Sequence, residues 1–232
     1  MRRVDTPELL DAGAGTPAEI QASLRDLRRI NRWFGGIRTA RTLLQRVAEE
    51  SGRSVISVLD VAAGSGDVLT EAARQLATVA VAIKPTLVDQ SATHLAHAPD
   101  VPKQVGNALH LPFPDNSFDV VMCSLFLHHL NPAAAQQFAR EAARVARLAF
   151  VVNDLRRSRL HLLLNYLGLP LFSRMTRFDS IASVRRAYTL DEARELLNVS
   201  GAGFTRIDSS RHYLYRMGFI SWKTPPNPKP TT

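Results

Sequence analysis

The sequence predicts an α/β fold in which a mostly parallel sheet is covered by helices on both faces. Two observations carry this. SVISVLDVA (54–62) is a continuous, β-branched apolar run, the texture of a strand buried on both sides. Further short apolar runs, near 86–89, 118–125 and 148–155, alternate with stretches of helical spacing, as crossover connections require.

The elements follow in order. The first ~15 residues, ending in DAGAGT (11–16), read as a loose lead-in. Thr16, Pro17 and Glu19 form a helix start, and Ile20, Leu24, Leu27 and Ile30 recur at helical spacing over 17–32. Gly35-Gly36 breaks that helix, a second runs from Ile37 to Glu50, and Ser51-Gly52 ends it. After the 54–62 strand, GSGD opens a helix, VLTEAARQLA. A strand near Thr86–Asp89, a short helix (SATHLAHA) and a third strand in VPKQVGNA come next. Phe118–Leu125 is a fourth strand, Pro132–Val145 a helix, and Leu148–Leu155 a fifth strand. Residues 156–188 leave this rhythm, with leucines crowded between arginines. Leu190–Leu197 is helical, and 203–210 and 212–222 alternate like an antiparallel pair. The tail PPNPKPTT suits neither a helix nor a central strand.

With 232 residues, the length fits one domain, or one with trimmings. An apolar fraction of 45% with 22% charged residues excludes wholesale disorder. The single cysteine, Cys123, excludes an intrachain disulfide and a four-cysteine zinc site. The longest apolar run is far short of the ~20 residues that span a bilayer. MRRVDTPELLDAG has no apolar stretch after its arginines and is no secretory signal, so a soluble, cytoplasmic protein is expected. The net charge is +8. Seven arginines lie in 25–46 and nine in 141–186. They admit two readings, solvated helix faces or a surface for nucleic acid, an anionic membrane or an acidic substrate.

Three motifs carry chemistry. In LDVAAGSGD (59–67) a strand turns through Gly64 and Gly66 into a helix, so backbone N–H groups can approach a ligand. A dinucleotide fingerprint would need a third glycine where Leu69 stands, and a phosphate-binding loop would need lysine where Asp67 stands. In TLVDQ, Asp89 ends a strand 23 residues after Gly66, where a carboxylate can accept from a ribose diol or simply cap a helix. The third is GNALHLPFPDNSFDVVMCSLFLHHL (106–130).

With these three motifs in order, residues 55–154 resemble the class I S-adenosylmethionine-dependent methyltransferases. The texture is that of the ubiquinone and menaquinone biosynthesis type and of small-molecule relatives acting on polyketide or aromatic products. The resemblance implies a Rossmann-like three-layer sandwich whose seven-stranded, mostly parallel sheet has an antiparallel last strand, plus a helical lid. Residues 1–50 would be N-terminal lid helices and 51–232 the methyltransferase domain, with a lid insertion at about 156–188. It implies S-adenosylmethionine as cofactor, with Asp60, Ala62, Gly64 and Gly66 beneath its methionine part and Asp89 on the ribose. Gln90, Asn107 and Ala108 would meet the adenine, and Cys123 and Ser124 would lie at the strand end under the cofactor. Asn107 replaces the family's usual acid, and an amide still accepts from an adenine amino group.

The reaction implied is methyl transfer to a hydroxyl or activated carbon of a small apolar or aromatic acceptor. Alignment supplies much of the rate. His128 and His129, after the fourth strand, are candidates for a base or substrate anchor, or else pack their loop. Asn153, with Asp154, Arg156 and Arg157, would orient a substrate oxygen or cap a helix. RLHLLLNYLGLPLF (159–172), with Trp33 and Phe34, would be an apolar cap over the site or would pack on the sheet or a second subunit. No metal is expected, because no cluster of histidines and carboxylates appears at ligand spacing along the chain.

The rivals are a reductase using NAD, against which Leu69 speaks, and a nucleic-acid methyltransferase using the arginine-rich faces. The latter lacks the Asn/Asp-Pro-Pro-aromatic signature, so nucleic acid is disfavoured. A non-enzymatic cofactor-binding subunit is the third. A peripheral membrane contact and the oligomeric state stay open.

Overall fold

A computed structural model gives the architecture and describes residues 1–199 and 201–223. The tail PPNPKPTT lies outside the described residues. The helices are α1 (Pro17–Trp33), α2 (Gly36–Ser51), α3 (Asp67–Ala77), α4 (Ala92–Leu95), α5 (Pro132–Val145), α6 (Arg159–Gly168), α7 (Arg174–Arg186) and α8 (Leu190–Leu197). The strands are β1 (Val55–Val61), β2 (Ala82–Asp89), β3 (Lys103–Val105), β4 (Phe118–Ser124), β5 (Ala146–Leu155), β6 (Arg206–His212) and β7 (Arg216–Trp222). They form one seven-stranded sheet in the order β3-β2-β1-β4-β5-β7-β6, in which β7 alone runs opposite to the other six.

The central strands are apolar on both faces because both faces are covered. Val58, Met122 and Val151 pack with Leu43, Leu44 and Val47 of α2 and Leu69, Ala72 and Leu76 of α3. Their neighbours along the strands, Leu59, Val121, Phe150 and Val152, pack on Phe138 and Ala142 of α5 and Leu197 of α8. Leu69, where the dinucleotide fingerprint wants glycine, is fully buried in the first cluster.

Strand β2 starts four residues earlier than the sequence suggests, and it contains Pro85. Leu87 N donates toward β3, to Pro102 O at 2.9 Å, so the side of Pro85 that lacks an N–H faces the same way. Strand β3 pairs only with Leu87–Asp89 and leaves that proline no partner to miss.

The N-terminal lead-in is not loose. Arg3 donates to the carbonyls of Arg186 (2.7 Å), His128 and Leu130 (both 3.1 Å), and Asp179 of α7 accepts from Leu9 N (2.7 Å) and Leu10 N (3.1 Å). Composition hid these ties because they join residues more than a hundred positions apart. Thr16 and Glu19 then form a reciprocal capping box on α1.

Helix α1 docks on α7 through polar pairs, Ser23 with Thr176 at 3.2 Å and Asp26 with Ser173 N at 2.8 Å. Its apolar stripe of Ile20, Leu24, Leu27 and Ile30 faces a cavity instead. Helix α2, grouped with the lid in the sequence reading, packs in the core layer, since Gly35 at φ 83° turns the chain between the two helices. Several arginines of 141–186 turn inward. Arg144 binds the carbonyls of Leu111 and Phe113, and Arg157 those of Met1 and Ala187, which favours a structural use of that charge. Among the described residues no helix is long and apolar enough to cross a membrane.

Candidate active site

A cavity of about 840 Å³ opens at the carboxyl ends of β1, β2 and β4. One end is the turn after β1. There Ala62 (φ 55°) and Gly64 (φ 56°) both take the left-handed conformation. A Cβ on Gly64 would meet nothing within 4 Å, so the turn leaves open space above its backbone. Asp89, at the end of β2, accepts from Gly64 N (2.8 Å) and from Ser91 N (2.8 Å). Burial opposes its charge, but His94 and these two backbone donors hold its pKa below the ordinary value. Asp60 is 2% exposed, and its Oδ1 has no hydrogen-bond partner. Burial, then repulsion from Asp67 and Asp89, pushes its pKa well up.

Three carboxylates around one open turn suit a cationic ligand and repel a pyrophosphate. S-adenosylmethionine, with its sulfonium and ammonium groups, fits this donor set: Asp60 could face its methionine part, Asp89 could accept from its ribose diol, and space lies open over Gly64.

Ala62, Gly64, Asp89, Gln90, Asn107, Ala108 and Ser124 all line the cavity, as does Asp60. Asn107 Oδ1 accepts from Leu109 N at 2.9 Å. Three expected site residues are placed elsewhere. Gly66 is buried at the start of α3, where a Cβ would collide with Leu87; its role is close helix–sheet packing. Cys123 is fully buried among Leu59, Val121 and Phe150, because side chains alternate along β4 and Ser124 takes the cavity side. Asn153 is also fully buried, and its amide donates to Gly36 O (3.0 Å) and Ser124 Oγ (3.1 Å), so it ties the start of α2 to β4.

The other end of the cavity holds the histidines. His128 is 2% exposed; its Nδ1 donates to Asp154 Oδ1 at 2.6 Å, and its backbone N donates to Asp154 Oδ2 at 3.1 Å. Burial opposes protonation, yet Asp154 and Glu8 beside the ring push its pKa up to about 9. His129 donates from Nδ1 to Asp11 Oδ2 at 2.6 Å. Glu8 lies between the two rings, 3.5 Å from His128 Nε2 and 3.7 Å from His129 Nε2, and accepts from Ser183 Oγ at 2.6 Å.

The sequence reading missed Glu8 and Asp11, because only the folded N-terminal segment brings them here. It also missed His161 and Arg216. His161 stacks on Tyr215 with centroids 5.0 Å apart. Arg216 is 1% exposed, lines the cavity and has an unpartnered Nη1. Ile20, Leu24, Leu27, Phe34, Leu164 and Phe172 form an apolar wall, whereas Trp33 is 64% exposed.

Comparison with known proteins fits this geometry. A family model described as "Methyltransferase domain" matches residues 58–148. No curated protein matches the chain. Among solved structures, the chain is similar to the plantazolicin methyltransferase BpumL in complex with SAH (TM-score 0.69, 13% identity, 93% of this chain and 94% of that one). It is also similar to a SAM-dependent methyltransferase from Aquifex aeolicus (TM-score 0.56, 19% identity, 79% and 88%). A third is a putative methyltransferase from an antibiotic biosynthesis pathway of Anabaena variabilis (TM-score 0.54, 21% identity, 74% and 64%). The chain therefore spans less than two thirds of the Anabaena protein's length.

Proposed function

We propose that the chain is an S-adenosylmethionine-dependent enzyme that methylates a hydroxyl or activated carbon of a small, mostly apolar or aromatic acceptor in the cytoplasm, a reading supported by the match to a methyltransferase domain and by the fold. The observation that carries this reading is one cavity with a carboxylate-lined turn at one end, paired histidines at the other, and an apolar wall between.

When bound, S-adenosylmethionine supplies an electrophilic sulfonium methyl. The chain's own task is then to bind, orient and exclude water. Asp89 and Asp60 hold the donor at the turn. The stripe of α1 and the α6 side chains bury the acceptor's apolar body. His128 and His129 present ring nitrogens to its polar end and fix which atom meets the methyl. Arg216, buried without a carboxylate in hydrogen-bonding contact, favours acceptors with an acidic oxygen. The names of two neighbours, from plantazolicin and antibiotic biosynthesis, support a natural-product acceptor.

Isothermal titration with S-adenosylhomocysteine tests the donor end. Binding is expected in the wild type, with an affinity at least ~10-fold weaker in Asp89→Ala, where hydrogen bonds to a charged group are lost. Absence of binding, or tighter binding of NADH, overturns the reading. A panel of phenolic and enolic acceptors, followed by mass spectrometry for a gain of one methyl, tests the acceptor end.

A further inference from the structure

We propose that Glu8, His128 and His129 bind a divalent first-row cation at the acceptor end of the cavity. The inference deepens the methyl-transfer reading and rests on it only for the cation's purpose. Glu8 Oε1 lies 3.5 Å from His128 Nε2 and 3.7 Å from His129 Nε2, and the three ligand atoms all lie within 4.8 Å of one another. A cation held at about 2.1 Å by each of three ligands needs them about 3 to 3.5 Å apart, so two of the three separations are nearly those of a loaded site.

Both rings are prepared in the same way. His128 gives its Nδ1–H to Asp154 and His129 gives its own to Asp11, each at 2.6 Å. A carboxylate on Nδ1 commits that nitrogen as the donor and turns Nε2 outward, the arrangement found behind metal-bound histidines; on His128 a cation would displace the Nε2 proton that Asp154 and Glu8 favour in its absence. His128 Nε2 is buried in a residue 2% exposed and makes no hydrogen bond. Its nearest polar group is Glu8 Oε1 at 3.5 Å, an ion pair too long for a good hydrogen bond, and a cation among Glu8 and the two rings would give all three a direct bond.

Two histidines and one carboxylate leave coordination positions open, and all three residues line the cavity. Nitrogen-rich ligation selects zinc, iron, cobalt or nickel over magnesium, calcium or manganese. The open positions face the space assigned to the acceptor, where a hydroxyl, phenol or carboxylate oxygen would complete the shell. The cation would thus select acceptors by a metal-binding oxygen and orient that oxygen toward the donor end. Ligand spacing along the chain could not reveal this site, since Glu8 lies 120 residues from His128.

The test is calorimetric titration of the chelator-treated full chain with Zn²⁺, and with Co²⁺ read by its visible absorption. One equivalent is expected to bind at micromolar or lower Kd, with Co²⁺ bands of a nitrogen- and oxygen-ligated ion. Glu8→Gln and His129→Gln should each weaken Zn²⁺ binding at least ~10-fold. Asp154→Asn, acting through the His128 ring, should weaken it ~10- to 100-fold. His129 is only partly buried, so His129→Gln keeps the fold testable if the buried variants do not. No binding by the wild type, or binding unchanged in all three variants, overturns the proposal. S-adenosylhomocysteine is titrated into the same samples. If it binds while Zn²⁺ does not, the cation is refuted and methyl transfer stands. If Zn²⁺ binds and S-adenosylhomocysteine does not, the metal site stands and the methyl-transfer reading falls.

Discussion

Gly64 and Gly66 share a positive φ but differ in what a methyl would meet, and this separates binding from folding at single residues. At Gly64 a Cβ enters open cavity, so Gly64→Ala should cost about 1 kcal/mol of backbone strain while weakening S-adenosylhomocysteine binding at least ~10-fold. At Gly66 a Cβ runs into Leu87, so Gly66→Ala should lower Tm more than Gly64→Ala does. Thermal melts beside calorimetry check both; equal losses of stability would contradict the placement of the turn. Asp60 is a second such case. Its carboxyl is buried, unpartnered and pressed by Asp67 and Asp89. Asp60→Asn should therefore leave the free protein as stable as the wild type or more so, yet lose affinity for the cationic donor. A fall in Tm without a fall in affinity would mean that Asp60 serves the fold. The motif residues at these positions were legible because a strand–turn–helix with small residues has few other uses. Side-chain direction was less so: Cys123 and Ser124 are adjacent in sequence and lie on opposite faces of the sheet, a one-residue question of register that a run of apolar residues leaves open.

Among the elements, α1 and α2 have similar apolar patterns and opposite uses. Leu44 of α2 is fully buried in the core, and Leu44→Ala should cost about 2–5 kcal/mol. Leu24 of α1 is half-buried on the cavity wall, so Leu24→Ala should cost less than about 1 kcal/mol and should instead raise KM for the acceptor. Chemical denaturation and steady-state kinetics on the pair distinguish wall from core. Periodicity identified both helices but could not tell a stripe that meets a sheet from one that meets a ligand. At the other end of β4, Asp119 accepts from Ser57 N and Oγ (both 2.9 Å), Arg53 (2.8 Å) and Arg147 (3.1 Å), clamping β4 to β1. Burial works against its charge, and these partners hold its pKa below 3.8. A folded pKa below the unfolded one means stability that is complete above about pH 4 and is lost as pH falls through the folded value. Asp119→Asn should therefore destabilise the protein at pH 7 by about 1–3 kcal/mol, with the gap to wild type closing in acid. Melts at several pH values measure it; a gap that does not narrow at all as pH is lowered from 7 into the acid range would refute the clamp.

Across the whole molecule, the donor end is built from one stretch, 60–109, and the acceptor end from three: residues 8–34, 124–130 and 155–216. This division explains why the donor end could be read along the chain and the acceptor end could not, since Glu8, Asp11 and Arg216 meet only through tertiary contacts. It also predicts that the two ends can be uncoupled. Arg3 ties the N-terminal segment to the carbonyls of His128, Leu130 and Arg186, and no residue of the donor turn depends on it. Arg3→Ala should cost roughly 1–3 kcal/mol at most, because the hydrogen bonds it removes lie at a partly buried edge. Hydrogen exchange should rise in residues 4–14 and stay unchanged in β1, β2 and β4. S-adenosylhomocysteine affinity should remain within about twofold, while kcat/KM for the acceptor falls tenfold or more, since Glu8 and the α1 wall lose their anchor. If donor affinity fell in step with acceptor turnover, the cavity would behave as one cooperative unit, and the separation of its two ends would be wrong.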